Sequence, residues 1–278
     1  ILLVNTPTRY NSELTKGLAA ELAKNLGCQL LTVPIGDFID ETADALEGLP
    51  LPDDTVHLTG FMKENMQARD RSSRILAALS AAFGGIFTCN ANKTETTVGY
   101  GTLYGDLAGA FAATADLWKY QIYDLGRKLN AWYGRAVIPE GIFTVMPSAE
   151  LSENQDVTQG KGDPLIYEYH DYLFRSFIEP WQRQTPEDIL KAYAKGNLED
   201  LIGCSIIVSN IFPTAKDFIE DLEKWWNLFS GFAVAKRIQT PPLLAVSRRP
   251  YGYDLRESQL RPYYTDAYLS LKEKLLAD

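Results

Sequence analysis

The sequence predicts an α/β fold, a doubly wound parallel sheet with a helical C-terminal subdomain, and three observations carry that expectation. A short apolar run, an amphipathic stretch and a second apolar run follow one another at the N-terminus. The alternation continues to about residue 138. Residues 164–229 then turn helix-like and dense in aromatic rings. Strands alternating with helices favour a parallel sheet, because each crossover helix covers a sheet face. The expected division is an α/β core over residues 1–160 and a helical subdomain with a C-terminal segment over 161–278.

Each element has its own signal. Residues 1–4 read as a buried strand ended by Thr6-Pro7. Residues 12–26 read as a helix, with Leu14, Leu18, Leu22 and Leu26 repeating at i+4 and Gly27 as its stop. Residues 29–35 give a second strand. The acidic stretch 40–60, with Pro50 and Pro52, reads as a loop or a frayed helix. A long helix is expected from 62 to 83, with Ile75, Leu79, Ala82 and Phe83 on one face and Gly84-Gly85 ending it. Residues 86–89 then read as a strand, 115–130 as an amphipathic helix, and 136–138 as a short strand before Pro139. Tyr167, Tyr169, Tyr172, Phe174, Phe177, Trp181, Trp225 and Trp226 are expected to build the helical subdomain's core, an aromatic ligand face being the alternative.

Composition excludes several functions. A formal charge of −9 argues against a nucleic-acid coat, although placed Lys and Arg residues can still bind an anionic nucleotide. Cys28, Cys89 and Cys204 form no CxxC pair, and with only His57 and His170 beside them a zinc site is not expected. The sparse cysteines suit a reducing cytoplasm. No apolar run approaches membrane-spanning length. The chain opens inside a strand-like run with neither an initiator Met nor a signal pattern, which reads as part of a longer protein.

The familiar nucleotide and nucleophile motifs are absent. Gly99-Tyr100-Gly101 is followed by Tyr104 where a dinucleotide fingerprint needs Gly, and no GxxxxGK[ST] loop occurs. Polar groups concentrate instead in residues 64–119. Asn65 and Arg69, four apart, share a helix face. After the strand-like 86–89 comes Asn90-Ala91-Asn92-Lys93-Thr94-Glu95, at the kind of strand end where α/β sheets bind ligands. A carboxylate beside amides and a Lys suits Mg²⁺ with phosphate. Asp106 adds a second acid and Lys119 a cation on the next helix.

This ordered string resembles the bacterial NAD synthetases. It comprises residues 64–71, Asn92-Lys93-Thr94-Glu95, residues 98–106 and Lys119. The resemblance extends to Pro7-Thr8-Arg9-Tyr10, Pro147-Ser148-Ala149-Glu150-Leu151, residues 236–242 and Arg249-Pro250-Tyr251-Gly252. It implies the synthetase domain of a glutamine-dependent member, with an adenine-nucleotide hydrolase-like (ATP pyrophosphatase) fold. The implied activity is ATP-dependent amidation of deamido-NAD to NAD through an adenylated nicotinate. By position, Glu95 would ligate Mg²⁺, Lys119 would meet ATP phosphate, and Asn90 and Ser148 would contact ATP. Asn65, Arg69 and Lys236 would hold deamido-NAD, and Asp106 would sit near the nicotinate carboxylate, where incoming ammonia must shed a proton, with Asp106 and Lys119 as the catalytic residues.

The family's Ser-Gly-Gly-x-Asp-Ser loop would precede residue 1, as would a nitrilase-like glutaminase domain supplying ammonia. A homo-oligomer with a dimer-shared site is also implied. Asn90-Ala91 stands where the family commonly has Thr-Gly. Leu103 stands where ammonia-only members usually carry Lys, which favours the glutamine-dependent branch. The alternatives are another adenylating amide synthetase, GMP synthetase-like, and a non-catalytic nucleotide-binding or dimerisation module.

Overall fold

The computed structural model describes residues 1–252 and 262–277. The chain opens with β1 (Leu2–Asn5), α1 (Glu13–Leu26) and β2 (Gln29–Thr32). The two strands pair in parallel, Leu2 against Gln29 through Asn5 against Thr32. α1 supplies the crossover between them: Ser12 caps its N-terminus, and Gly27 closes it at φ 66°. α2 (Gly36–Leu46) follows, burying Ile39 and Ala43, one turn apart. The acidic stretch is thus helical in its first part, and beyond it Pro50 and Thr55 form an antiparallel bridge.

A continuous helical rod then runs through α3 (Gly60–Arg69), a π-helical segment (Asp70–Leu76) and α4 (Ala77–Phe83). The apolar face expected along it does not hold. Ile75 is buried, but Ala82 is exposed and Phe83 is 60% exposed. α4, which carries the rest of that stripe, buries none of its residues, so no face of it is covered.

α5 (Lys93–Val98), α6 (Lys119–Tyr133) and α7 (Gly141–Thr144) come next. Two expected strands are absent here. Residues 86–89 pair at one position only, Thr88 with Phe111, and Ile86 is 70% exposed. Residues 136–138 form no ladder either. The Asn130 amide satisfies both backbone groups of Ile138, accepting from its N–H and donating to its carbonyl, each at 2.8 Å. A backbone already paired by a side chain has no need of a strand partner.

The remaining elements among the described residues include the helices α8 (Tyr167–Ile178), α9 (Pro186–Lys195), α10 (Leu198–Ile202), α11 (Val208–Ile211), α12 (Ala215–Ser230), α13 (Ala233–Gln239) and α14 (Asp266–Ala277). Among the described residues the molecule is helix-rich with one small parallel sheet, and no helix is long and apolar enough to cross a membrane.

The chain divides into two compact units. Unit 1 comprises residues 1–87, 102–108 and 122–164; unit 2 comprises 88–101, 109–121 and 165–278. Unit 1 holds the sheet with α1 packed on both strands. Unit 2 is organised by α12, which packs against α5, α9, α13 and α14. Its core gathers Tyr169, Phe174 and Trp225 around a fully buried His170, with Phe177 packed against Phe174. His170 Nδ1 accepts the Ile166 N–H at 2.8 Å, leaving Nε2 to carry the proton toward Asp221, 3.0 Å away. Trp181 does not join this core: it lies past the end of α8 and is 95% exposed.

Candidate functional site

The sequence-predicted residues divide evenly between the units. Asn90, Glu95, Lys119 and Lys236 belong to unit 2; Asn65, Arg69, Asp106 and Ser148 belong to unit 1.

In unit 2 the organising element is α5. Asn92 and Glu95 form a reciprocal capping box: the Asn92 side chain accepts from Glu95 N at 2.9 Å, and Glu95 Oε2 accepts from Asn92 N at 3.0 Å. Five of its six residues are buried, so the helix presents Glu95 alone. Glu95 Oε1 also accepts from Asn92 Nδ2 at 2.7 Å and from the Tyr167 hydroxyl at 3.0 Å. Lys119, the first residue of α6, places its ammonium 5.0 Å from the centroid of that same Tyr167 ring. Asn90 is exposed, with its Oδ1 accepting from the Thr88 hydroxyl.

Beneath Glu95, Lys93 is completely buried. Its ammonium, with three N–H groups to donate, lies within hydrogen-bond distance of Asp116 Oδ1 at 2.9 Å, Glu179 Oε1 at 3.1 Å, Ser247 Oγ at 2.8 Å and the Arg249 carbonyl at 3.0 Å. Burial works against the Asp116 charge. Donors from Ser247, Lys93 and Val246 outweigh it and hold the carboxyl below its usual range. Asp171 on α8 has no such cation bonded to it. It accepts the Thr94 hydroxyl and the Tyr120 N–H, and burial pushes its carboxyl up to about 6.

Lys236 closes the other end of α5. Its ammonium donates to the carbonyls of Gly99 and Gly101 at 2.7 and 2.6 Å, where a cation complements the helix C-terminus. Gly99 sits at φ 66°, and a Cβ there would stand 2.9 Å from Ala233 Cα, so this close approach admits only glycine.

In unit 1, α3 carries two different faces. Asn65 and Arg69 occupy one: Asn65 Oδ1 accepts the Thr102 hydroxyl at 2.8 Å, and Arg69 Nε donates to the Leu103 carbonyl at 3.1 Å. The turn they hold includes Asp106, whose carboxylate accepts the Thr102 N–H at 2.8 Å. Ser148 donates to the Gln155 carbonyl at 2.6 Å and accepts from Glu150 N at 3.2 Å.

Lys63 and Gln67 lie two residues out of step with Asn65 and Arg69, on the opposite face of α3. They line a cavity of about 650 Å³ with Arg9, Tyr10, Lys16 and Phe38, just past the carboxyl ends of β1 and β2. Gln67 is 2% exposed, and its amide nitrogen is committed to the Leu151 carbonyl at 2.8 Å. Its Oε1 is buried without a hydrogen-bond partner.

Tyr167, Asp171 and Gln67 were not singled out as site residues from the sequence, and Lys93, read there as a cation for phosphate beside Glu95, is instead enclosed by its own partners. Gln67 lies inside a family-like run, and Tyr167 and Asp171 are four apart on a helix. Those are the signals that could have found them.

Among the described residues, no three His, Cys, Asp or Glu side chains converge into a protein-only metal cage. A Mg²⁺ ion carried on nucleotide phosphates needs only one or two carboxylates from the protein. Glu95 fits that role: it is a hard oxygen donor, oriented by amide and phenol groups that suit an anionic acceptor.

Residues 1–202 match the NAD synthase family. A glutamine-dependent NAD(+) synthetase of Thermotoga maritima is 39% identical over 186 residues, covering 66% of this chain and 30% of that protein. One from Xanthomonas campestris pv. campestris is 33% identical over 257 residues, covering 92% of this chain and 40% of the relative. The chain thus spans well under half the length of these two relatives. The crystal structure of a glutamine-dependent NAD(+) synthetase from Cytophaga hutchinsonii matches the fold with a TM-score of 0.69 at 18% identity, over 99% of this chain and 40% of that one.

Proposed function

We propose that this chain, which belongs to the NAD synthase family, makes an amide from a nicotinate carboxylate in two steps. The carboxylate of deamido-NAD attacks the α-phosphate of ATP, forming an acyl adenylate and releasing pyrophosphate. Ammonia then attacks the acyl carbon, AMP leaves, and the nitrogen sheds a proton to give NAD. A free carboxylate is a poor acyl donor, and adenylation supplies the leaving group that it lacks.

One observation carries this reading: Glu95 and Lys119 are set around a single Tyr167 ring, an anionic oxygen and an ammonium held for charged phosphate chemistry. Lys119 would stabilise the phosphate charge, and Glu95 would hold Mg²⁺, which when bound neutralises the departing pyrophosphate. Asn90 and Ser148 would contact ATP, and Asn65, Arg69 and Lys236 would hold the dinucleotide. Asp106 would accept the proton from ammonia. Gln67 Oε1 would take the amino group of an adenine, which both substrates carry. We place the chain in a doubly wound, ATP pyrophosphatase-type sheet and in the cytoplasm. Its ammonia would come from glutamine through a separate glutaminase domain, in a homo-oligomer.

Glu95→Gln in the complete protein tests this reading. Mg²⁺-dependent pyrophosphate release should fall about a hundredfold or more while the fold persists. Near-normal release would remove Glu95 from the reaction.

A further inference from the structure

Two residues of α8 touch Glu95 and Lys119 or their immediate neighbours. Tyr167 and Asp171 are four apart and so share one helix face. The Tyr167 hydroxyl donates to Glu95 Oε1 at 3.0 Å, while its ring lies 5.0 Å from the Lys119 ammonium. Asp171 accepts the hydroxyl of Thr94, the residue before Glu95, and at 2.9 Å the backbone N–H of Tyr120, the residue after Lys119. Thr94 in turn accepts the Lys119 N–H at 3.4 Å.

Resting on the proposed function, we infer that Tyr167 is a positioning residue: its hydroxyl aims the Glu95 carboxylate and its ring steadies the Lys119 ammonium, over a backbone frame fixed by Asp171. The chemistry supports two separable actions. A phenol donor orients a carboxylate through a charge-assisted hydrogen bond. An aromatic face attracts an ammonium without neutralising it, so Lys119 keeps its charge for phosphate. Tyr167 is 6% exposed, so water does not readily substitute for its hydroxyl. A long lysine otherwise loses considerable rotamer freedom on binding, and a ring that orders it beforehand reduces that loss.

Tyr167→Phe removes the hydroxyl and keeps the ring; Tyr167→Leu removes both. In the complete protein, calorimetry of ATP with and without Mg²⁺ reads the carboxylate arm. Acetic anhydride labelling of Lys119, followed by peptide mass spectrometry, reads the lysine arm. Tyr167→Phe should lower the Mg²⁺-dependent gain in ATP affinity about tenfold and leave Lys119 labelling unchanged. Tyr167→Leu should do the same to ATP and also speed Lys119 labelling several-fold. A wild-type Mg²⁺ response in Tyr167→Phe would overturn the carboxylate half, and unchanged labelling in Tyr167→Leu the lysine half. Failure of the wild-type protein to bind ATP at all would instead overturn the proposed function.

Discussion

In unit 2 the candidate carboxylate projects from a helix whose other five residues are buried. In unit 1 Arg69 and Asp106 stand exposed and Asn65 is half-buried. The cores differ in the same sense. Among the largest fully buried side chains every one except Ile35 belongs to unit 2, Trp118, Trp225 and Tyr169 included. The fully enclosed ion pair, Lys93–Asp116, lies in unit 2, whereas surface pairs such as Arg9–Asp40 of unit 1 and Lys216–Glu220 of unit 2 leave their side chains more than half exposed. An enclosed charge is part of the folding energy, since losing its partner strands it in a low dielectric. A solvated one can be removed at little cost.

The sharpest break of this contrast is Lys93→Ala, which leaves Asp116 buried without its cation. It should cost about 3–5 kcal/mol, read by urea unfolding. A loss under about 1 kcal/mol would mean that unit 2 relaxes and hydrates as readily as a surface.

Next in size is a pH effect at Asp171. Its carboxyl, usually at 3.8, is raised to about 6 in the folded state, so the folded protein binds that proton more tightly. This site therefore makes stability fall as pH rises from about 4 to about 6, with no further change above. Asp171→Asn removes that dependence. Its stability relative to wild type should rise by about 2–3 kcal/mol across the window. Parallel pH profiles for the two proteins would show that burial does not control Asp171.

Gln67→Leu probes the one deeply buried polar side chain in the wall of the unit 1 cavity. If its orphan oxygen accepts from an adenine, adenine-nucleotide affinity should drop about tenfold by calorimetry with little change in melting temperature. Unaltered affinity would leave the cavity without that role. Smallest is Arg9→Ala, expected to cost under about 1 kcal/mol because exposed ion pairs contribute little. A larger loss in urea unfolding would erase the distinction between the units.

Much of the secondary structure was legible locally. The leucine repeat with Gly27 located α1, and the apolar runs located β1 and β2. These signals work because capping, turn chemistry and helical periodicity act within a few residues. The run 86–89 misled because a strand exists only where the rest of the chain offers a ladder, and here the backbone pairs at Thr88 alone. Trp181 misled similarly: its composition suits a core, yet it falls beyond the end of α8.

By itself the sequence determined the local helices, the ordered family-like string and hence the candidates Glu95, Lys119, Asn65 and Arg69. Types and spacings along the chain are enough to specify those. Only the tertiary structure decided that Lys93 is enclosed by Asp116, Glu179 and Ser247. It also decided that Tyr167 touches Glu95 and Lys119 together, and that the Gln67 side-chain oxygen is buried without a partner. Burial and hydrogen-bond satisfaction depend on partners up to 156 residues away. Local sequence specifies which groups are available, and packing alone specifies which of them meet.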